Sequence, residues 1–251
     1  MKKICLVIMA MFFAIGLKAQ ETSLSDTVAF PNESQGTVPI STNFNYSYSQ
    51  SIYQSSEVSA GVLSHIDWYL NENNQNATRT INIEIYLAEV PQTSFATNAF
   101  VPTSQLTQVY SGPVTLSGTG WFGVDFQVPF VYTGANNLVV GVKASMGSYF
   151  FMYFGVGTEL PDYSTRSLYT ASDSRVVTPE NPVSVYSNTR VPSAIFTRLP
   201  EGASVCLPVQ DLVFSNTDQT STTASWSNPN GEGTTFTVSY RLPGAESFTT
   251  L

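Results

Sequence analysis

The stretch Val62-Leu63-Ser64-His65-Ile66-Asp67-Trp68-Tyr69-Leu70 sets Val62, Ser64, Ile66, Trp68 and Leu70 against Leu63, His65, Asp67 and Tyr69. A second stretch sets Ile81, Ile83, Ile85 and Leu87 against Asn82, Glu84 and Tyr86. A period of two is the signature of a half-buried strand, because successive side chains leave the backbone on opposite sides. Between the two stretches, Asn71-Glu72-Asn73-Asn74-Gln75-Asn76 forms a polar loop without an apolar anchor.

Working outward, the same pattern predicts strands over Tyr46 to Tyr53, Gln108 to Leu116, Trp121 to Tyr132, Asn137 to Ala144, Ser167 to Ala171 and Ala194 to Arg198. Thr133-Gly134-Ala135-Asn136 reads as the turn of a hairpin, which would place Asp125 opposite Lys143 in a surface ion pair. Tyr149-Phe150-Phe151-Met152-Tyr153-Phe154, bounded by Gly147 and Gly155, reads as a strand buried on both faces, with an aromatic ligand platform as the rival reading. No ten-residue segment carries a helical stripe. The expected fold class is all-β: a jelly-roll-like β-sandwich over residues 37–199. Residues 20–36 precede it as an exposed leader. A linker over residues 200–207 follows, and a further β segment occupies residues 208–251.

The 251 residues include 31 Ser and 28 Thr but only 28 charged side chains. About a quarter of an ordinary globular chain is charged, so neutral polar groups do most of the solubilising here. Lys2 and Lys3 precede an apolar run from Ile4 to Leu17, and Leu17-Lys18-Ala19 offers a small-residue cleavage site. That is the layout of a secretory signal peptide over residues 1–19. At about 14 apolar residues the run is shorter than the roughly 20 needed to span a bilayer. The expected location is therefore outside the cell or at its surface, with no membrane insertion after signal cleavage. Cleavage would leave 7 basic and 18 acidic residues, a net charge of −11, with Lys143 the sole lysine and Cys206 the sole cysteine. Such a chain forms no internal disulfide, and it repels nucleic acid.

Two resemblances add to this reading. Cys206-Leu207-Pro208, Leu212-Val213-Phe214, Thr223-Ala224-Ser225-Trp226-Ser227-Asn228-Pro229 and the alternating Phe236, Val238 and Tyr240 resemble the first half of a fibronectin type III (Ig-like) sandwich. Such a domain needs about 90 to 100 residues in two sheets. The resemblance therefore implies a partial domain within a longer protein, in which Cys206 could pair downstream. Tyr48-Ser49-Gln50-Ser51-Ile52-Tyr53, Ile83-Glu84-Ile85-Tyr86-Leu87, Leu106-Thr107-Gln108-Val109-Tyr110-Ser111-Gly112, Gly120-Trp121-Phe122, Pro129-Phe130-Val131-Tyr132 and Asn137-Leu138-Val139-Val140-Gly141-Val142 occur in that order. They resemble a β-sandwich module of secreted and surface proteins in Bacteroidota, commonly followed by fibronectin type III repeats. The resemblance implies architecture and address, and it carries no catalytic residue set.

The chemistry-bearing residues are few. His65 is the only histidine, so any Ser-His-Asp triad or Cys-His dyad would have to use it. A zinc site needs three or four suitable ligands, and there is no Gly-rich phosphate loop or EF-hand spacing. No catalytic or metal residue is expected. No cofactor is expected either; loop oxygens could hold a structural calcium ion, yet no motif indicates one. The strongest ligand-contact candidates are His65, Asp67, Tyr69, Asn82, Glu84 and Tyr86, read as lying on one outer face of neighbouring strands. Tyr and Asn beside a carboxylate suit hydroxyl-rich ligands. The expected function is a non-catalytic binding or adhesion module of a larger multidomain bacterial protein, taking a glycan or an extracellular protein. The alternative is an ancillary or spacer region of a secreted peptidase or glycoside hydrolase whose catalytic domain lies beyond residue 251.

Overall fold

The computed structural model describes residues 24–28, 34–73, 78–201, 203, 210–216, 223–227, 239–240 and 249–250. The expected signal segment 1–19, Cys206, Phe236 and Val238 lie outside the described residues. In chain order the main body contains β1 (Ser25–Val28), β2 (Ser34–Gly36), β3 (Tyr46–Tyr53), β4 (Gly61–Asn73), β5 (Arg79–Val90), β6 (Thr107–Leu116) and β7 (Gly120–Tyr132). It continues through β8 (Asn137–Ser145), β9 (Met152–Glu159), β10 (Ser167–Ser172), β11 (Tyr186–Asn188), β12 (Arg190–Pro192) and β13 (Ala194–Arg198). A single 3-10 turn at Thr103–Gln105 is the only helical element among the described residues.

Two antiparallel sheets face one another. The first joins β1, β13, β4, β9 and β12 in that order, with β7 also on β4 and β2 also on β9. The second runs β11-β10-β3-β8-β5-β6. The fold is an all-β sandwich. From β3 to β5 and again from β6 to β10, consecutive strands alternate between the sheets, so each connection turns a corner of the sandwich rather than closing a hairpin.

The core follows from the alternation. Ile66, Trp68 and Leu70 of β4 meet Ile81, Ile83, Ile85 and Leu87 of β5 and Leu138, Val140 and Val142 of β8 in one buried cluster. Aromatic rings lock it. Phe122 lies 5.8 Å from Trp68 and 5.9 Å from Phe154, and Tyr53 meets Phe196 edge-on at 4.9 Å. A fully buried Phe or Leu contributes about 1.5–3 kcal/mol, which lets this core stand in for disulfides.

A smaller second core lies outside the six-stranded sheet. Ile52, Ala88, Val90, Val139 and Leu168 point away from the main core and are covered by Phe95, Val101 and their neighbours. The buried Gln50 amide fastens this cover, donating to the Val101 carbonyl at 2.8 Å and accepting from the Val101 N–H at 2.7 Å. Buried polar groups persist only when bonded in this way.

Several expectations are corrected. β7 and β8 do not form a hairpin; they belong to different sheets, and Thr133–Asn136 carries the chain across the sandwich. Asp125 and Lys143 therefore do not pair: Asp125 bonds His65 at 2.7 Å, and Lys143 bonds Glu84 at 2.8 Å. The stretch Tyr149–Phe154 is buried on one side only. Phe150, Met152 and Phe154 enter the core, whereas Tyr149 is 62% and Phe151 40% exposed, and the strand begins only at Met152.

Residues 20–36, expected as an exposed leader, supply two strands, because the open rims of β13 and β9 offer them a ladder. Asp26 anchors the first. Its carboxylate accepts from Arg198 at 2.7 Å and from the Ser59 N–H and hydroxyl, each at 2.9 Å.

The sandwich also seals one rim with a side chain. Gln127 of β7 donates to the Ser111 carbonyl at 3.0 Å and accepts from the Ser111 N–H at 3.1 Å, so it pairs with the outer edge of β6 as a neighbouring strand would. Past the main body, β14 (Gln210–Ser215) pairs antiparallel with β15 (Thr223–Ser227), and β16 (Ser239–Tyr240) pairs with β17 (Thr249–Thr250).

One buried ion pair gives a stability test. Arg166 is fully buried; it donates to the Ile52 carbonyl at 2.8 Å and to both Glu57 oxygens at 3.0 and 2.5 Å. Removing one partner of a buried pair strands the other charge and costs about 3–5 kcal/mol. Glu57→Ala is expected to lower unfolding free energy by about 3 kcal/mol in urea melts, and Glu57→Gln, which keeps an acceptor, by less.

Candidate functional site

The six candidate residues do not share a face. β4 and β5 are consecutive in the chain but lie in opposite sheets, so the main core separates their outer sides. His65, Asp67 and Tyr69 occupy the outer face of the seven-stranded sheet, and Asn82, Glu84 and Tyr86 occupy that of the six-stranded sheet. Asp67 and Glu84 thus cannot act as a carboxylate pair on one ligand. Stacked sheets alone stand about 10 Å apart, and these side chains point away from each other.

The second group lines a groove. Register places Tyr48, Lys143, Glu84 and Ser111 in one row across β3, β8, β5 and β6, with Tyr46, Ser145 and Asn82 in the next row. Residues 176–180, between β10 and β11, line the space beside them as a wall. Val177 seats the wall by burying its side chain completely. Glu180 ties it to the facing loop by accepting from the Thr103 N–H at 2.7 Å and hydroxyl at 3.1 Å. The space left open divides into two adjoining cavities of about 290 Å³ each. Tyr46, Asn82, Glu84, Ser111 and Ser145 line one; Tyr48, Tyr86, Thr103 and Glu180 line the other. Lys143 lines both.

At the junction, Lys143 Nζ donates to Glu84 Oε1 at 2.8 Å, and the Tyr86 hydroxyl donates to Glu84 Oε2. Partial burial pushes the Glu84 carboxyl up, but the Lys143 and Tyr86 hydrogen bonds outweigh it and hold the group below the usual carboxylate range. Burial first, and then the Glu84 carboxylate, drive the Tyr86 phenol up, so it remains a donor at ordinary pH. Gly141 sits between Tyr48 and Tyr86. A Cβ there would come within 2.9 Å of the Tyr48 hydroxyl, so a larger residue would displace a ring that lines the groove.

The first group lies on the outer face of the seven-stranded sheet. The His65 ring lies between two carboxylates, with Nδ1 2.7 Å from Asp125 and Nε2 3.1 Å from Asp67. Gly123, opposite Asp67 on β7, makes the room: a Cβ would stand 2.4 Å from His65 Nε2. Beside the cluster, Tyr69 and Trp121 pack edge-on at 5.3 Å. Both imidazole nitrogens are taken by carboxylates, so neither is left to activate a hydroxyl or thiol nucleophile. Among the described residues no group of three or more His, Cys, Asp or Glu could hold a metal ion.

The pattern along the chain does not single out Lys143, Tyr46 and the wall of residues 176–180 as groove residues, nor Asp125, Gly123 and Trp121 as neighbours of His65. Alternation along β8 does put Lys143 on the outer side. Which strands flank β8 was the missing information.

The cluster around His65 makes a pH prediction. A neutral imidazole has one N–H, whereas the imidazolium has two, and here both nitrogens face acceptors. Burial lowers the His65 pKa, but the Asp125 and Asp67 hydrogen bonds and charges outweigh it, and the folded value is raised above 6.5. A raised folded value stabilises fully below the unfolded pKa and is lost as pH rises through the folded pKa. The stability advantage over His65→Gln, followed by thermal melts, is expected to be greatest below about pH 6.5 and to shrink at higher pH. An advantage that grew with pH would show that His65 is held neutral.

No protein-family model matches the chain, and no curated protein matches it in sequence.

Proposed function

We propose that the chain is a non-catalytic binding module that holds a hydroxyl-rich glycan in the groove outside its six-stranded sheet. The observation that carries this reading is the pair of adjoining cavities, floored by Tyr46, Asn82, Glu84, Tyr86 and Lys143 and walled by residues 176–180. Small-ligand sites are concave and combine apolar or aromatic walls with a few placed polar groups. Here those polar groups are phenols, an amide, hydroxyls and one ion pair, which suit neutral oxygen-rich ligands.

Absence of catalysis is part of the proposal. A glycosidase acid must hold a proton near neutral pH, and Glu84 is shifted the other way. The basic n-region and apolar run at the N-terminus support export, and the sandwich motifs support kinship with the secreted Bacteroidota modules they resemble. The antiparallel β14–β15 pair is what the first hairpin of a fibronectin type III unit would contain, and it supports that reading of residues 208–251.

A glycan microarray probed with the purified chain, followed by calorimetry, tests the proposal. Saccharide binding is expected without release of reducing ends. Tyr46→Ala and Asn82→Ala are each expected to weaken it severalfold, while Asp67→Asn on the opposite face leaves it unchanged. Binding no stronger than that of an unrelated sandwich would sink the reading.

A further inference from the structure

We infer that the groove selects its glycan by two adjacent hydroxyl groups, read jointly by Lys143 and Glu84. This rests on the glycan reading above and adds the chemistry of selection. Lys143 Nζ and Glu84 Oε1 are 2.8 Å apart. Neighbouring hydroxyl oxygens on a sugar ring are separated by about one hydrogen-bond length as well. One hydroxyl can therefore accept from the ammonium while its neighbour donates to the carboxylate.

The two side chains have capacity for both bonds. An ammonium carries three donors, and Glu84 takes one of those of Lys143. Each carboxylate oxygen accepts at about two positions; Lys143 occupies one on Oε1 and Tyr86 one on Oε2. Both side chains remain 29% exposed, so a ligand in the groove reaches them. The Tyr86 bond orients the carboxylate before a ligand arrives, which reduces the ordering cost of binding.

The local charge decides the sugar class. Lys143 and Glu84 cancel, and Glu180 lines the neighbouring cavity. An anionic sugar would meet two carboxylates against one ammonium. A neutral sugar meets a donor and an acceptor without an uncompensated charge. As an ion pair alone, two opposed groups on adjacent strands would contribute little; placed where the two cavities join, they serve recognition instead.

The test uses the intact chain and a panel of neutral gluco-, galacto-, manno- and xylo-oligosaccharides with matching uronic-acid oligosaccharides. Binding is expected among the neutral members only. For the tightest of them, deoxy analogues at each hydroxyl should identify one adjacent pair whose loss, singly, weakens binding about tenfold, as for one charge-assisted hydrogen bond. Lys143→Met and Glu84→Gln should each weaken the parent sugar similarly, and should bind the matching deoxy analogues no more weakly than the parent. The deoxy series on the unaltered protein decides the matter even if a variant fails to fold. Preference for uronic acids, or deoxy analogues that all bind equally, overturns the inference while glycan binding stands. Failure of every saccharide overturns both.

Discussion

The two-sheet body of this molecule depends on the main apolar layer held between its sheets. The chain has few charges with which to solubilise misplaced strands, so each strand must commit one side to that layer. Once Ile66, Trp68 and Leu70 face Ile81, Ile83, Ile85 and Leu87 across it, the intervening polar residues have one place left to go. The two candidate clusters are thus the outward halves of the two stretches that build the core. Their separation on opposite faces is a direct consequence of the sandwich.

A second constraint shapes the groove. The outer face of the six-stranded sheet carries apolar residues at one end, Ile52, Val90, Val139 and Leu168 among them, and these need a cover of their own. The loops that provide it also stand up beside the polar rows of β3, β8, β5 and β6. Glu180, gripping Thr103, joins one wall to the other. The concavity is therefore a by-product of burying a second core, built on paired strands and on loops fastened by hydrogen bonds.

Much of this was legible in the residues, and the boundary of legibility has a physical cause. Strands such as Tyr46–Tyr53 and Ala194–Arg198 appear with the bounds read from their alternation, because period and punctuation are local properties. Pairing is not local. The turn Thr133–Asn136 would serve equally as a hairpin or as a crossing between sheets, and only the packed core decides between them. For the same reason the side of β4 bearing His65 was legible, while its partner Asp125 on β7 was not. The aromatic run Tyr149–Phe154 misled differently. Hydrophobicity alone suggested two buried faces, yet the start of β9 lies at the rim, where Tyr149 and Phe151 turn outward. Residues 25–28 carry too short a pattern to announce a strand; an available edge on β13 recruits them.

The amide of Gln127, seated on the backbone of Ser111, bears on how copies of the protein behave when crowded together. The outer strand of an open sheet presents a row of donors and acceptors that can template another chain, the first step toward fibrils or exchanged strands. On β6 the central donor and acceptor of that row are already occupied by a side chain from the opposite sheet. An incoming strand would have to evict an intramolecular partner before it could pair. A sandwich without disulfides thereby guards one of its flanks with a glutamine, beside Pro113, which has no N–H to offer and whose carbonyl accepts from the Tyr110 hydroxyl.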